Sequence, residues 1–200
     1  MRIRSLLFFA LGAICSLQAG ATTVLPVSLQ QLSSTAELIF HGTVLSNEVR
    51  LDETSGRVAT FTTFAVIDVI KGHAGDTHTI KQVGGQLPGS QVRQIIHGVP
   101  RFSVGAEYVV FLPPASSLGF SSPIGLSQGR FSVLQHNGEI VVSNGRPVAA
   151  LLDTNSNAEV SNAPQAVQIS NAPALPALPD APASAKLTDF LRTVRAMAGQ

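Results

Sequence analysis

Between Ala36 and Val142, almost every stretch with a regular apolar pattern is built from β-branched and aromatic residues and ends in glycine, proline or an Asn-Gly pair, which commits the chain to a mainly β fold. The run Glu37-Leu38-Ile39-Phe40-His41-Gly42-Thr43-Val44-Leu45 reads as a long first strand. The glycine in its middle marks a bulge or sharp coil, which such a strand needs to serve two sides of a small barrel. After the turn residues 52–56, a second strand is expected from Arg57 to Ile70. Simple alternation puts Phe61, Thr63, Ala65, Ile67 and Val69 on one face and Thr60, Thr62, Phe64, Val66, Asp68 and Ile70 on the other. Lys71-Gly72 ends that strand, and a third runs from Thr77 to Val83 before Gly84-Gly85. Residues 86–103 are the least regular part of the core and contain a possible short helix around Ser90 to Ile96. Glu107 to Leu112 is the clearest strand. A hairpin follows over Arg130–Gln135 and Glu139–Val142, with Asn137-Gly138 between them, because both residues of such a turn must take positive φ.

Outside this region the composition changes. Residues 1–21 have a basic start (Arg2, Arg4), an apolar run from Leu6 to Cys15, and the small residues Ala19 and Ala21 at a peptidase site, so they read as a signal peptide cleaved after Ala21. The apolar run is about half the roughly 20 residues that a stable membrane anchor needs. Residues 22–153 are then expected to hold one domain, in which the leader 22–35 docks as an extended piece or one helical turn. Residues 154–184, rich in Ala, Pro and Asn, read as a flexible linker. Over 185–200, Leu187, Phe190, Leu191, Val194 and Met197 recur at helical spacing, which predicts an amphipathic helix docked on the barrel or presented to a partner. The only cysteine, Cys15, lies within the signal, so the processed chain has neither a disulfide nor a thiolate metal site. Losing Arg2 and Arg4 reduces 13 basic residues to 11 against 12 acids, a net charge of −1. With the remaining cations scattered singly, this excludes a nucleic-acid-binding surface and argues against adsorption to membranes. No stable membrane insertion is expected after cleavage, and the localisation is periplasmic or secreted.

A search for chemistry returns no catalytic, cofactor or metal residues. His-Glu-x-x-His is absent from the sequence. His73 and His78, with Asp76 between them, make an adventitious metal site at best and read as exposed turn histidines. His41 reads as a partly buried or rim residue. Most of the twelve acids, among them Asp52, Glu53, Asp76, Glu139 and Asp153, fall at turns, and nothing pairs them for glycosidic chemistry. Gly84-Gly85-Gln86-Leu87-Pro88-Gly89 lacks the lysine of a phosphate loop. It serves as a geometric device or lets a ligand or partner reach bare backbone.

Three stretches, Ala36 to Val44, Phe64-x-Val66-x-x-Val69-x-Lys71-Gly72 and Gly105-x-x-Tyr108-x-x-Phe111, together with the strand order, resemble a five-stranded OB-type barrel, and more narrowly the tissue inhibitors of metalloproteinases and netrin modules. A similar Lys-Gly, Gly-Gly and Gly-x-x-Tyr-x-x-Phe-Leu pattern occurs in exported bacterial proteins. The resemblance implies an OB-like (TIMP/netrin-like) barrel with a short helix in 86–103 and a C-terminal amphipathic helix. It does not carry over zinc-chelating inhibition, since the expected mature start is Thr22 and no cysteine remains. The functional expectation is a non-enzymatic binding module of the bacterial envelope or secretome. Its partner is expected to be a protein held by loops 85–103 and 113–129. The alternatives are an inhibitor or chaperone of an exported metalloprotease, and an enzyme of unrecognised type using His41 or His97.

Overall fold

The computed structural model describes residues 26–91, 93–146 and 184–199. The signal expected at 1–21 and, except for Ser184, the linker expected at 154–184 lie outside the described residues. Part of the leader is a seven-residue helix, α1 (Leu29–Thr35). Ser28 and Gln31 start it with a reciprocal capping box, and Leu29 and Leu32 bury its inner face.

The strands that follow are β1 (Leu38–Asp52), β2 (Arg57–Lys71), β3 (Thr77–Val83), β4 (Gly85–Gln86), β5 (Arg93–Gln94), β6 (Glu107–Leu112), β7 (Arg130–His136), β8 (Glu139–Ser143) and β9 (Ala185–Lys186). Helix α2 (Leu187–Ala198) ends the order. Seven strands form one antiparallel sheet in the order β3-β2-β1-β6-β7-β8-β9, and β4 and β5 pair apart from it. The fold is mainly β, but it is not the five-stranded barrel expected. β3 pairs only with β2, and β8 is bordered by β9, so the sheet does not close.

The reason is that the central strands are buried on both faces. From β1 and β6, Leu38, Phe40, Tyr108, Val110 and Leu112 point into one apolar cluster, while Ile39, Val109 and Phe111 point into another. The first cluster lies on the inner side of the curled β1–β2–β3 layer and is built around edge-to-face contacts of Phe40 with Phe64, Phe64 with Phe102 and Phe102 with Tyr108. The second is sealed by α1 and α2 through Leu29, Leu32, Phe190 and Val194. The C-terminal helix therefore docks, with Phe190 packed on Phe131 at 4.7 Å between ring centres and Arg195 bonded to Asp68 of β2.

Bulges also break the alternation expected for β2. Ile70 and Ile67 each lack a partner in the β1 register, so Phe64, Val66 and Val69 share the first cluster, Ile70 enters the second, and Ile67 is exposed. Gly42 sits at one of these shifts, where a Cβ would come within 2.6 Å of the Ala65 carbonyl oxygen. Among the described residues, no helix forms around Ser90 to Ile96, where one was expected. Instead Gly89 turns the chain at φ +70°, and Arg93 and Gln94 pair with Gln86 and Gly85. The hairpin at Asn137-Gly138 forms as expected, with φ of 49° and 80°.

The residues behind the family resemblance have structural work to do. The Lys71 ammonium donates to the Ser33 and Ser34 carbonyls at the end of α1, which have no helical partner. Gly72, at φ +80°, passes so close to Glu37 that a Cβ would lie 2.3 Å from its carbonyl oxygen. The Tyr108 hydroxyl accepts from the Ser103 amide at 3.1 Å.

Candidate functional site

Where the inner cluster ends, the face of β1–β2–β3 continues as a polar floor. Asn47 and Val49 of β1 lie opposite Thr62 and Thr60 of β2, and Thr60 lies opposite Gln82 of β3. Three bonds hold this floor. The Thr62 hydroxyl donates to Asn47 Oδ1 at 2.7 Å, Asn47 Nδ2 donates to the Phe102 carbonyl at 2.7 Å, and the Thr60 hydroxyl donates to the Gly84 carbonyl at 2.7 Å. Together with residues 84–86 and 93–102, the floor borders an open pocket of about 320 Å³.

One group of the floor is unpaired and closed off from the pocket space. Gln82 is 3% exposed, and its Nε2 has no hydrogen-bond partner. A buried amide donor left unpaired costs about 1–3 kcal/mol. The walls are apolar, with Val83, Ile95, Ile96 and Val99. Arg93 and Arg101 are exposed, line the same pocket and form no ion pair among the described residues, and no acid lines it. The opening thus combines apolar surface with uncompensated positive charge.

The glycine pair makes this arrangement possible. Gly84 and Gly85 take φ of 97° and 140°, and a Cβ on Gly85 would sit 2.6 Å from Val49 and 2.8 Å from the Thr60 hydroxyl. The expected geometric device is therefore present, at the edge of the pocket. Of the two loops expected to form a binding face, only 85–103 lines the pocket. Loop 113–129 instead lies along β3, where the Ser121 amide donates to the Lys81 carbonyl and Lys81 Nζ donates to the Leu118 carbonyl. The two loops meet where Gly98 packs on Leu126.

The singled-out histidines are not brought together. His41 is buried, with Nε2 3.1 Å from Glu107 Oε2, and no described hydroxyl bonds its other ring nitrogen. His97 is exposed beyond the roof of the pocket, and His73 is exposed in its turn. His78 differs from the exposed turn residue expected. It lies half-buried in β3 with its ring 5.4 Å from Phe40, and burial pushes its pKa below the usual value. Among the described residues, no group of three or more His, Cys, Asp or Glu is placed to hold a metal ion. The Asp52 pKa is depressed, held down first by its hydrogen bond from Lys81 and then by that from Ser55. This ion pair, with Lys81 Nζ 2.7 Å from Asp52, pins the β1–β2 turn to β3 and lies outside the pocket lining.

Sequence reasoning missed Asn47, Thr62, Gln82, Arg93 and Arg101. A usable signal was present. Thr62 and Gln82 each lie two residues from a core side chain, Phe64 and Ile80, so strand periodicity turns them inward although they are polar. No family model matches this sequence, and no curated protein is detectably similar to it. Among the described residues, no helix is long and apolar enough to cross a membrane.

Proposed function

We propose that the chain is a non-enzymatic binding module of the bacterial envelope or secretome, and that its recognition element is the segment 85–103 with the pocket beneath it. The observation that carries this reading is the pocket itself: a hydrogen-bonded floor and apolar walls around about 320 Å³, with no acid in the lining. That volume lies at the lower end of the range for small-ligand sites, which typically combine apolar lining with a few fixed polar groups. It suits a small molecule, or a single group projecting from a partner, better than a broad protein surface.

The kinship with OB-type, TIMP-like domains belongs to the same proposal. Its support is the long, bulged β1 pairing with β2 on one side and β6 on the other.

Filling the pocket tests the reading. Val99 lines it and is half-buried, so Val99→Trp places an indole in the space without touching either apolar cluster. Native mass spectrometry of the protein purified from its own compartment should show a bound species on the parent chain that is absent from Val99→Trp. If both chains retain the same species, recognition lies elsewhere.

A further inference from the structure

We propose that β3 offers its open edge to a second copy of the chain. The two β3 strands pair antiparallel about a two-fold axis at His78, so that Thr77 of each copy faces Thr79 of the other.

β3 pairs only with β2. Asp76 turns its carbonyl towards β2, where the Val66 amide donates to it at 2.8 Å, whereas Lys81 turns its carbonyl the other way, to the Ser121 amide at 2.9 Å. Backbone groups alternate along a strand, so Thr77 and Thr79 point their N–H and C=O away from the sheet. Both residues are exposed, and those groups have no partner among the described residues. Such an edge invites another strand unless proline, charge or a bulge blunts it. None of these protects β3: its register against β2 is unbroken, and Thr77 to Ile80 holds neither proline nor a charged residue. His78 is uncharged at neutral pH because burial lowers its pKa. The opposite edge of the sheet, β9, is two residues long and runs directly into α2.

The rest of the edge selects the occupant. At Lys81 it is already taken by loop 113–129, so an extended peptide lying along the whole strand would collide with that loop. A second β3 does not. With Thr77 opposite Thr79 across the axis, Lys81 falls opposite the partner subunit's Gly75, which precedes the start of its strand, so the partner chain turns away where the loop begins. The two-fold also gives every unused group of Thr77 and Thr79 a partner. Each Thr77 amide donates to the Thr79 carbonyl of the other copy, and each Thr79 amide to the Thr77 carbonyl.

The contact is small, so the dimer is expected to be weak, with a Kd at or above about 1 μM. Sedimentation equilibrium of the full processed chain from about 1 μM to about 1 mM should show it. Thr79→Pro removes an outward N–H that the chain itself does not use, a change an edge strand tolerates. It should weaken association about tenfold or more while the strand signal in far-ultraviolet dichroism is kept. Thr79→Val keeps the backbone and loses only the hydroxyl bond to Thr63, so it should associate as the parent does. His78→Cys reads the register and decides alone should Thr79→Pro fail to fold. The only natural cysteine, Cys15, lies in the signal, and the two introduced thiols meet in a non-hydrogen-bonded pair about 4.5 Å apart at Cα, within disulfide range. Mild oxidation should therefore give a covalent dimer, which Thr188→Cys, exposed on α2, should not. A parent chain still monomeric at about 1 mM, a folded Thr79→Pro that associates like the parent, or a His78→Cys that crosslinks no faster than Thr188→Cys would each overturn the proposal.

Discussion

Truncating Phe190 should destabilise the whole sheet, and not only the helix that carries it. Phe190 is 4% exposed and packs against both Phe131 and Phe111, so Phe190→Ala opens a cavity in the cluster that α1 and α2 seal. Losing a buried phenylalanine costs about 3–5 kcal/mol, transfer and cavity together. A domain of this size is stable by about 5–15 kcal/mol in all, so the denaturation midpoint should fall by about a fifth or more. The chain offers a convenient reporter, since it has no tryptophan and a single tyrosine. Tyr108 is buried in the other cluster, across the sheet from α2, so its fluorescence follows the sheet and not the helix. Urea unfolding watched through Tyr108 should therefore shift by the full amount in Phe190→Ala. Thr188→Ala, an exposed change on the same helix, should move it by less than about 0.5 kcal/mol. If Phe190→Ala loses helical dichroism while the Tyr108 transition stays in place, α2 is an appendage and the two-cluster account of the open sheet fails.

Gly42→Ala should cost about 1–3 kcal/mol, because the new methyl meets the Ala65 carbonyl oxygen at 2.6 Å, a backbone atom that cannot swing away; chemical denaturation would show it. Ser28→Ala removes the half of the α1 capping box in which the Ser28 hydroxyl accepts from the Gln31 amide and should cost about 1 kcal/mol, read as a lower thermal midpoint. Acidification should act in two steps. The folded pKa of His78 lies below its ordinary 6.5, so the unfolded chain binds the proton first and stability declines as pH falls below 6.5 towards the folded value. His78→Leu should remove that slope. The folded pKa of Asp52 lies below its ordinary 3.8, so its contribution is complete above that pH and is lost as pH falls through the folded value. Asp52→Asn should flatten the thermal midpoint in that lower window.

Most strands were legible because their signals are local. Thr77–Val83, Glu107–Leu112 and the Asn137-Gly138 hairpin follow from β-branched content and turn chemistry over a few residues, which neighbours elsewhere in the chain do little to alter. The two errors of architecture were not local. Period-two reasoning on β2 fails at Ile67 and Ile70 because each bulge depends on the register against β1, and register is a property of the pair. The barrel reading fails because it assumes one core. Whether the second face of β1 and β6 is covered depends on α1 and α2, which approach from opposite ends of the sequence.

The pocket was hidden for a related reason, and that reason bears on how such sites arise. Each of its parts has a plain local reading: two glycines ending a strand, a threonine and a glutamine in strands, two arginines in an irregular loop. They become a site only because Asn47, Thr62 and Gln82 line up across three strands and the glycines let the 85–103 segment fold back over them. A floor built only for stability would place an apolar residue at position 82, two residues from Ile80, since a buried donor without a partner lowers stability. The same three-strand face that closes the hydrophobic cluster at Phe102 therefore changes character within one turn of the pleat. The hydrogen-bonded floor of Asn47, Thr60 and Thr62 is what distinguishes the pocket from a packing defect: a defect is dry and apolar, whereas this one is floored by polar groups held in fixed positions.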